Sequence, residues 1–236
     1  MNLSIVIPCY NEGNKLVNNI ITVKKYLDSL GEISYEIIGV NDGSTDNTDV
    51  LMKLTTIENV KFIGYTKNRG KGYAVKYGIE NAVGDWIIFM DADISTDISA
   101  IKTVLDSRNT ADIIIGSRRH KETILVKKQP FSRKFIGNAC KVITHILTGM
   151  KIKDTQCGFK AFKKECIKKI IEKQMVERFA FDVEYLYIAS INKMKIIEIP
   201  IRWENDEDSR VSPIRSSVKF FCDLFKITGK KKYYKF

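Results

Sequence analysis

Trp86-Ile87-Ile88-Phe89-Met90-Asp91-Ala92-Asp93 reads as a strand that ends in a site. Its apolar run of β-branched and aromatic residues suits a strand buried on both faces, as the middle of a parallel sheet requires. Two carboxylates one residue apart close it. In open α/β sheets, ligands bind just outside the carboxyl ends of the strands. Two acids beside a dry strand repel each other and need a partner. A hard divalent cation is the natural one, since Mg2+ takes carboxylate oxygens together with a substrate's phosphate oxygens. The plainer reading is that Asp91 or Asp93 caps a helix starting near Asp97.

Working outward, strands and helices alternate. Leu3 to Ile7 is a short apolar strand ended by Pro8, which has no N–H to donate. Leu16, Ile20, Val23, Leu27 and Leu30 then mark one helix face, closed at Gly31. Tyr35 to Val40 is a second strand, and the turn Asn41-Asp42-Gly43-Ser44-Thr45-Asp46 caps a helix with Val50, Leu51 and Leu54. Val60 to Tyr65 is a third strand, and Asn68-Arg69-Gly70-Lys71-Gly72 leads into a helix with Ala74, Val75, Ile79 and Ala82. Asp112 to Ile115 follows as another strand. This rhythm means βαβ units and a mostly parallel central sheet flanked by helices, an α/β fold. One α/β unit is expected through about Ser117, with a C-terminal part built onto the same sheet.

Composition narrows the class. The 236 residues are long enough to bury a real core. No apolar run reaches the length of a membrane span, and the N-terminus enters a strand with no secretory leader. The cysteines Cys9, Cys140, Cys157, Cys166 and Cys222 are odd in number and form no C-x-x-C, which argues for reduced thiols in a cytosolic compartment. His120 and His145 do not suggest a metal pair. The net charge of +11 is concentrated. Arg118, Arg119, Lys121, Lys127, Lys128, Arg133 and Lys134 crowd one segment, and Lys226, Lys230, Lys231, Lys232 and Lys235 fill the tail. Such an excess fits an anionic partner (nucleic acid, a phosphate-bearing substrate or an acidic membrane surface) or ordinary solvation of a lysine-rich surface.

Several sites are excluded. Gly70-Lys71-Gly72 lacks the third glycine of the dinucleotide fingerprint and follows the third strand. There is no G-x-x-x-x-G-K-[ST] and no G-x-S-x-G. What remains is acids after successive strands: Glu12, Asp42, then Asp91 and Asp93. In a parallel sheet those strand ends lie along one edge. Carboxylates there accept from base and ribose donors while the D-x-D holds a metal against a diphosphate.

These residues resemble the family 2 glycosyltransferases with the A-type nucleotide-sugar fold. Ile5-Val6-Ile7-Pro8-Cys9-Tyr10-Asn11-Glu12 matches its opening strand, Val40 to Thr48 its second, and Asp91-Ala92-Asp93 its metal motif. Asp154-Thr155-Gln156-Cys157-Gly158-Phe159-Lys160 and Val176 to Glu184 resemble the dolichyl-phosphate β-glucosyltransferase branch, relatives of dolichyl-phosphate mannosyltransferase. The matches span residues 5 to about 211. The resemblance implies that Pro8, Tyr10, Glu12, Val40 and Asp42 contact the nucleoside, and that Asp91, Ala92 and Asp93 hold the diphosphate through Mg2+ or Mn2+. It also implies a phosphate-proximal Arg118 and basic Arg202 and Arg210 closing over donor or acceptor phosphate. Lys71 joins the donor-binding candidates. The N-terminal membrane anchor of the eukaryotic relatives is not seen.

The implied function is inverting transfer of a sugar from a nucleotide sugar, with UDP-glucose the first donor to test and GDP-sugars open, to a polyprenyl or dolichyl phosphate. Such an acceptor is already ionised, so no strong general base is needed. Cations must instead position it, and Arg118, Arg133, Arg202 and Arg210 are candidates because a guanidinium fork matches phosphate. Asp182 is either the base of a sibling enzyme acting on a polysaccharide hydroxyl or a helix-start residue that caps or pairs with Arg178. Asp93, Asp182 and Arg118 are thus the catalytic candidates, and Gln156 and Cys157 line the sugar pocket. Residues 1–211 form the catalytic unit, with a nucleotide-sugar half to about 117 and an acceptor half from 118. Residues 212–236 form a basic amphipathic tail.

Two segments bear on a membrane. Phe135, Ile136, Ala139, Ile143, Ile146 and Leu147 recur at helical spacing, as do Phe220, Phe221, Leu224, Phe225 and Ile227 before the lysines. Tyr233, Tyr234 and Phe236 suit a headgroup layer. The expected location is cytoplasmic, peripheral on a membrane. A nucleic-acid-binding protein is the competing class, and no RNA or DNA module is recognisable.

Overall fold

The computed structural model describes residues 2–13, 15–31, 33–126, 131–204 and 213–236, with backbone alone for 131–136 and 213–217. The strands are β1 (Asn2–Cys9), β2 (Ser34–Asp42), β3 (Val60–Tyr65), β4 (Trp86–Met90), β5 (Ile113–Ser117), β6 (Ile124–Leu125), β7 (Phe159–Lys163), β8 (Ile196–Pro200) and β9 (Arg202–Trp203). The helices are α1 (Lys15–Ser29), α2 (Thr48–Leu54), α3 (Lys71–Glu80), α4 (Ala100–Ser107), α5 (Phe131–Thr148), α6 (Lys164–Lys173), α7 (Phe181–Ile191) and α8 (Pro213–Gly229). Seven strands form one sheet in the order β3-β2-β1-β4-β7-β5-β8, and β6 pairs with β9 separately.

The sheet is mostly parallel, as the βαβ rhythm predicts. Strand β4 lies in its middle with every residue buried. Ile87 and Phe89 join the core on one face and Trp86, Ile88 and Met90 the core on the other. Helices α3, α5, α6, α7 and α8 cover the first face. Helices α1, α2 and α4 cover the second.

Three differences have physical causes. Strand β1 runs through Pro8 to Cys9 instead of stopping at Ile7. Beyond Val6 it pairs with β2 alone, so a residue without an N–H is tolerated on the vacated side. Strand β7 enters antiparallel between β4 and β5, although it begins inside a stretch that reads as a motif. Neither Asp91 nor Asp93 caps α4, which starts at Ala100; Asp93 Oδ1 accepts from Ser95 N at 2.9 Å within its own turn.

Candidate active site

Parallel pairing of β1 with β2 and β4 brings the acids after these strands to one rim. On the β1–β2 side, two loops are joined by neutral hydrogen bonds. Asn11 N donates to Ser44 Oγ at 3.0 Å, and Asn11 Oδ1 accepts from Thr45 N at 2.8 Å. Gly13 N donates to Thr48 Oγ1 at 2.9 Å. The turn between them needs a glycine: Gly43 has φ +62°, and a Cβ there would meet Asn68 N at 2.5 Å.

Asp42 sits behind this rim, only 3% exposed. Its Oδ1 accepts from Tyr65 Oη and Arg69 N, both at 2.8 Å; its Oδ2 accepts from Asn68 Nδ2 and Gly70 N, both at 2.9 Å. Burial and the Asp42 carboxylate push the Tyr65 hydroxyl well above its usual range. A carboxylate has about four acceptor positions, so Asp42 is committed to the 65–70 loop that delivers Lys71. Val40 is wholly buried and Pro8 half-buried, while Tyr10 is 41% exposed at the rim and Glu12 half-buried.

At the end of β4 the site changes character. Asp91 N donates to Gly158 O at 3.1 Å, and its carboxylate rests against that glycine, where a Cβ would fall 2.0 Å from Oδ2. Asp91 Oδ1 is buried without a well-aligned hydrogen bond, and the Lys71 ammonium lies beside it as an ion-pair contact. Burial opposes the Lys71 charge, but Asp91, Asp182 and Asp93 outweigh it and raise the ammonium above its usual value. Ala92 is buried, and its carbonyl accepts from Asn19 Nδ2 at 2.7 Å. Asp93 is exposed to solvent, yet the protein crowded around it, and then the Asp91 charge, raise its carboxyl above the ordinary aspartate range. The next residue, Ile94, has φ +53°, a strained conformation for a β-branched side chain.

Two further ion pairs complete the region. Arg118 grips Asp154 with both arms of its fork, Nε to Oδ2 and Nη2 to Oδ1, each at 2.8 Å. Burial alone would raise Asp154, but the guanidinium holds it below the usual carboxylate range. One edge of Arg118 is thereby used, and the expected phosphate contact must come from the other. Lys160 is wholly buried and donates to Asp182 Oδ1 at 2.5 Å and to Cys157 O at 2.6 Å. Asp182 stands in the first turn of α7 with Lys160 as its ion-pair partner, in place of the expected Arg178. Burial raises its carboxyl despite the two lysines nearby.

Other candidates scatter. Gln156 is exposed; Cys157 is buried, which pushes its thiol to about 11 and leaves no activated nucleophile. Arg202 is exposed on β9. The side chain of Arg133, and Arg210 entirely, lie outside the described residues. Glu184 is a core residue, accepting from Tyr234 Oη at 2.5 Å and from Met175 N and Val176 N. Tyr234 is wholly buried there, so it does not belong to the exposed face expected of the tail. Lys160 and Asp154 are the partners that sequence reading missed; a lysine inside the aromatic run Phe159-Lys160-Ala161-Phe162 was the available signal.

The metal reading has a physical test. Among the described residues no group of three or more His, Cys, Asp or Glu is arranged to hold an ion. Mg2+ or Mn2+ does not need one, because it is held by one or two carboxylates plus substrate phosphates. Asp91, with a buried oxygen lacking a hydrogen bond, and the exposed Asp93 fit that donor set.

A family model described as Glycosyl transferase family 2 matches residues 4–171. The chain belongs to that family. The dolichyl-phosphate beta-glucosyltransferase of Dictyostelium discoideum is 34% identical over 239 residues, covering 95% of this chain and 73% of the relative. The human protein of the same name is 35% identical over 237 residues, with 94% and 73% covered. The yeast protein of that name, from Saccharomyces cerevisiae, is 32% identical over 242 residues, with 94% and 72% covered. This family member also shares its fold with glucosyl-3-phosphoglycerate synthase from Mycobacterium tuberculosis, solved with Mn2+, UDP and phosphoglyceric acid. That match has a TM-score of 0.69 at 14% identity, over 97% of this chain and 78% of the other. Family and fold are those that the opening motifs led to.

Proposed function

We propose that this glycosyltransferase moves glucose from UDP-glucose to a polyprenyl phosphate of the dolichyl kind, inverting the anomeric centre to give a β-linked product. The observation that carries the acceptor class is the placement of Asp182: it is buried and one carboxylate oxygen is held by Lys160, so an acceptor hydroxyl has little access to it, although burial raises its proton affinity. A phosphate acceptor needs no such base, being ionised at neutral pH. The names of the relatives support the donor sugar and the lipid.

In this reading Tyr10 and the joined β1–β2 loops receive the nucleoside, and Asp42 holds the loop that presents Lys71. Asp91 and Asp93 would hold Mg2+ or Mn2+, whose charge stabilises the leaving diphosphate. Lys71, kept cationic by its acidic neighbours, contributes a second positive charge at the same place. Arg118, braced by Asp154, presents its free edge to phosphate, with Arg133, Arg202 and Arg210 as further cations.

The acceptor's lipid calls for a membrane surface. Val142 and Ile146 on α5, 55% and 75% exposed, and Val218 and Phe225 on α8, both 63% exposed, form apolar stripes on two helices that pack together. Lys226, Lys230, Lys231 and Lys232 flank them, which suits peripheral binding to an acidic leaflet. Among the described residues no helix is long and apolar enough to cross a bilayer.

The test is lipid extraction after incubation with polyprenyl phosphate, Mn2+ and a panel of labelled UDP- and GDP-sugars. Label from UDP-glucose is expected in the lipid. Asp182→Asn is expected to retain measurable transfer; complete loss in a variant that still folds and binds UDP like the wild type would favour the hydroxyl-acceptor sibling, and label arriving only from a GDP-sugar would overturn the donor.

A further inference from the structure

Lys160 is a wholly buried lysine at the second position of β7, a depth at which lysine is almost never found unpaired. Its ammonium meets Asp182 Oδ1, the Cys157 carbonyl oxygen and, 5.2 Å away, the ring of its cross-strand neighbour Phe89. Replacing a buried ion pair by apolar residues is often neutral or stabilising, so core stability alone does not account for this one. The second bond is the informative one. Cys157 immediately precedes Gly158, whose carbonyl accepts from Asp91 N and whose missing Cβ makes room for the Asp91 carboxylate.

We infer that Lys160 is a positioning residue: by holding the Cys157 carbonyl it fixes the Gly158 peptide, the seat on which Asp91 rests where it would hold the cation of the donor diphosphate. Asp182 is then the counter-charge that allows a lysine to stay at this depth. The inference rests on the proposed role of Asp91. Side chains that orient a ligating group from behind typically change affinity or activity by about 10–100-fold when removed.

The two roles of Lys160 separate in an Asp182→Asn background. Asn at 182 removes the buried negative charge but leaves Lys160 its bond to Cys157 O. Adding Lys160→Met then removes the carbonyl anchor and leaves no unpaired charge, so folding is preserved. UDP binding with Mn2+ by calorimetry, kcat and KM for UDP-glucose, and the thermal midpoint are compared among the wild type and both variants. The expected result is an unfolding midpoint in the double variant no lower than in Asp182→Asn, with UDP bound at least about tenfold more weakly and kcat reduced in proportion. Lys160→Gln in the same background, which still carries an N–H donor toward Cys157 O, is expected to recover most of that loss. Equal UDP affinity and kcat in Asp182→Asn and the double variant would overturn the inference. So would a double variant that fails to fold while the Gln version folds and binds UDP no better than tenfold below Asp182→Asn. Failure of the wild type to bind UDP or UDP-glucose would instead sink the proposed function, which keeps the two apart.

Discussion

The two halves of the rim are built on different principles. At the ends of β1 and β2, loops are closed by neutral hydrogen bonds, and the acid Asp42 is saturated by protein donors. Around the ends of β4 and β5 and the start of β7, opposite charges stand in pairs: Lys71 with Asp91, Arg118 with Asp154, Lys160 with Asp182. A neutral nucleoside is best met by a shape that is already set, because ordering loops on binding weakens affinity. In the proposed function, a diphosphate, a divalent cation and an acceptor phosphate would bring large charges to this half, and groups that are paired beforehand need less reorganisation when such charges arrive.

The sharpest break of this comparison is Asp93→Asn. It leaves the neutral half untouched and removes one of the two carboxylates proposed to hold the metal, so transfer should fall by about 10²–10³-fold or more while the fold is kept. Near-native activity would mean the charged half is not where the chemistry happens. The same residue sets a pH dependence. Its carboxyl titrates above the ordinary aspartate range, so the anion is present above that pKa and lost as pH falls through it. Apparent Mn2+ affinity should therefore decline at a higher pH than for an unperturbed aspartate, and the limb should vanish in Asp93→Asn.

Next in size is Gly158→Ala. A Cβ 2.0 Å from Asp91 Oδ2 forces the carboxylate off its seat, and a displacement of this kind is expected to reduce kcat/KM by about 10²-fold. Steady-state kinetics would read it, and an unchanged value would show that Asp91 need not be held there. The smallest effect on chemistry belongs to the other half. Asp42→Asn leaves backbone donors of the 65–70 loop facing an amide, with an expected cost of about 1–3 kcal/mol in stability and weaker UDP binding, but little change in kcat. Denaturant melts and calorimetry test it; a collapse of kcat at unchanged stability would move Asp42 into the charged half.

Much of the fold was legible because its signals are local. The apolar run Trp86 to Met90, the alternation of periods and the turn residues after each strand act within a few residues, and each placed its element to within about three residues. Pro8 misled because its effect depends on which neighbour β1 still has at that point. The tail misled at Tyr234, whose partner Glu184 lies fifty residues earlier in sequence. The acids of the site were likewise visible as residue types after strands, whereas their partners were not.

From the sequence alone came the class of fold, the edge of the sheet where the acids gather, and the carboxylates proposed to hold a cation against a diphosphate there. Only the tertiary structure decided which of those charges are already paired and which remain open. The reason is the antiparallel entry of β7 between β4 and β5: it carries Gly158 under Asp91 and Lys160 under Asp182, contacts that no local pattern encodes.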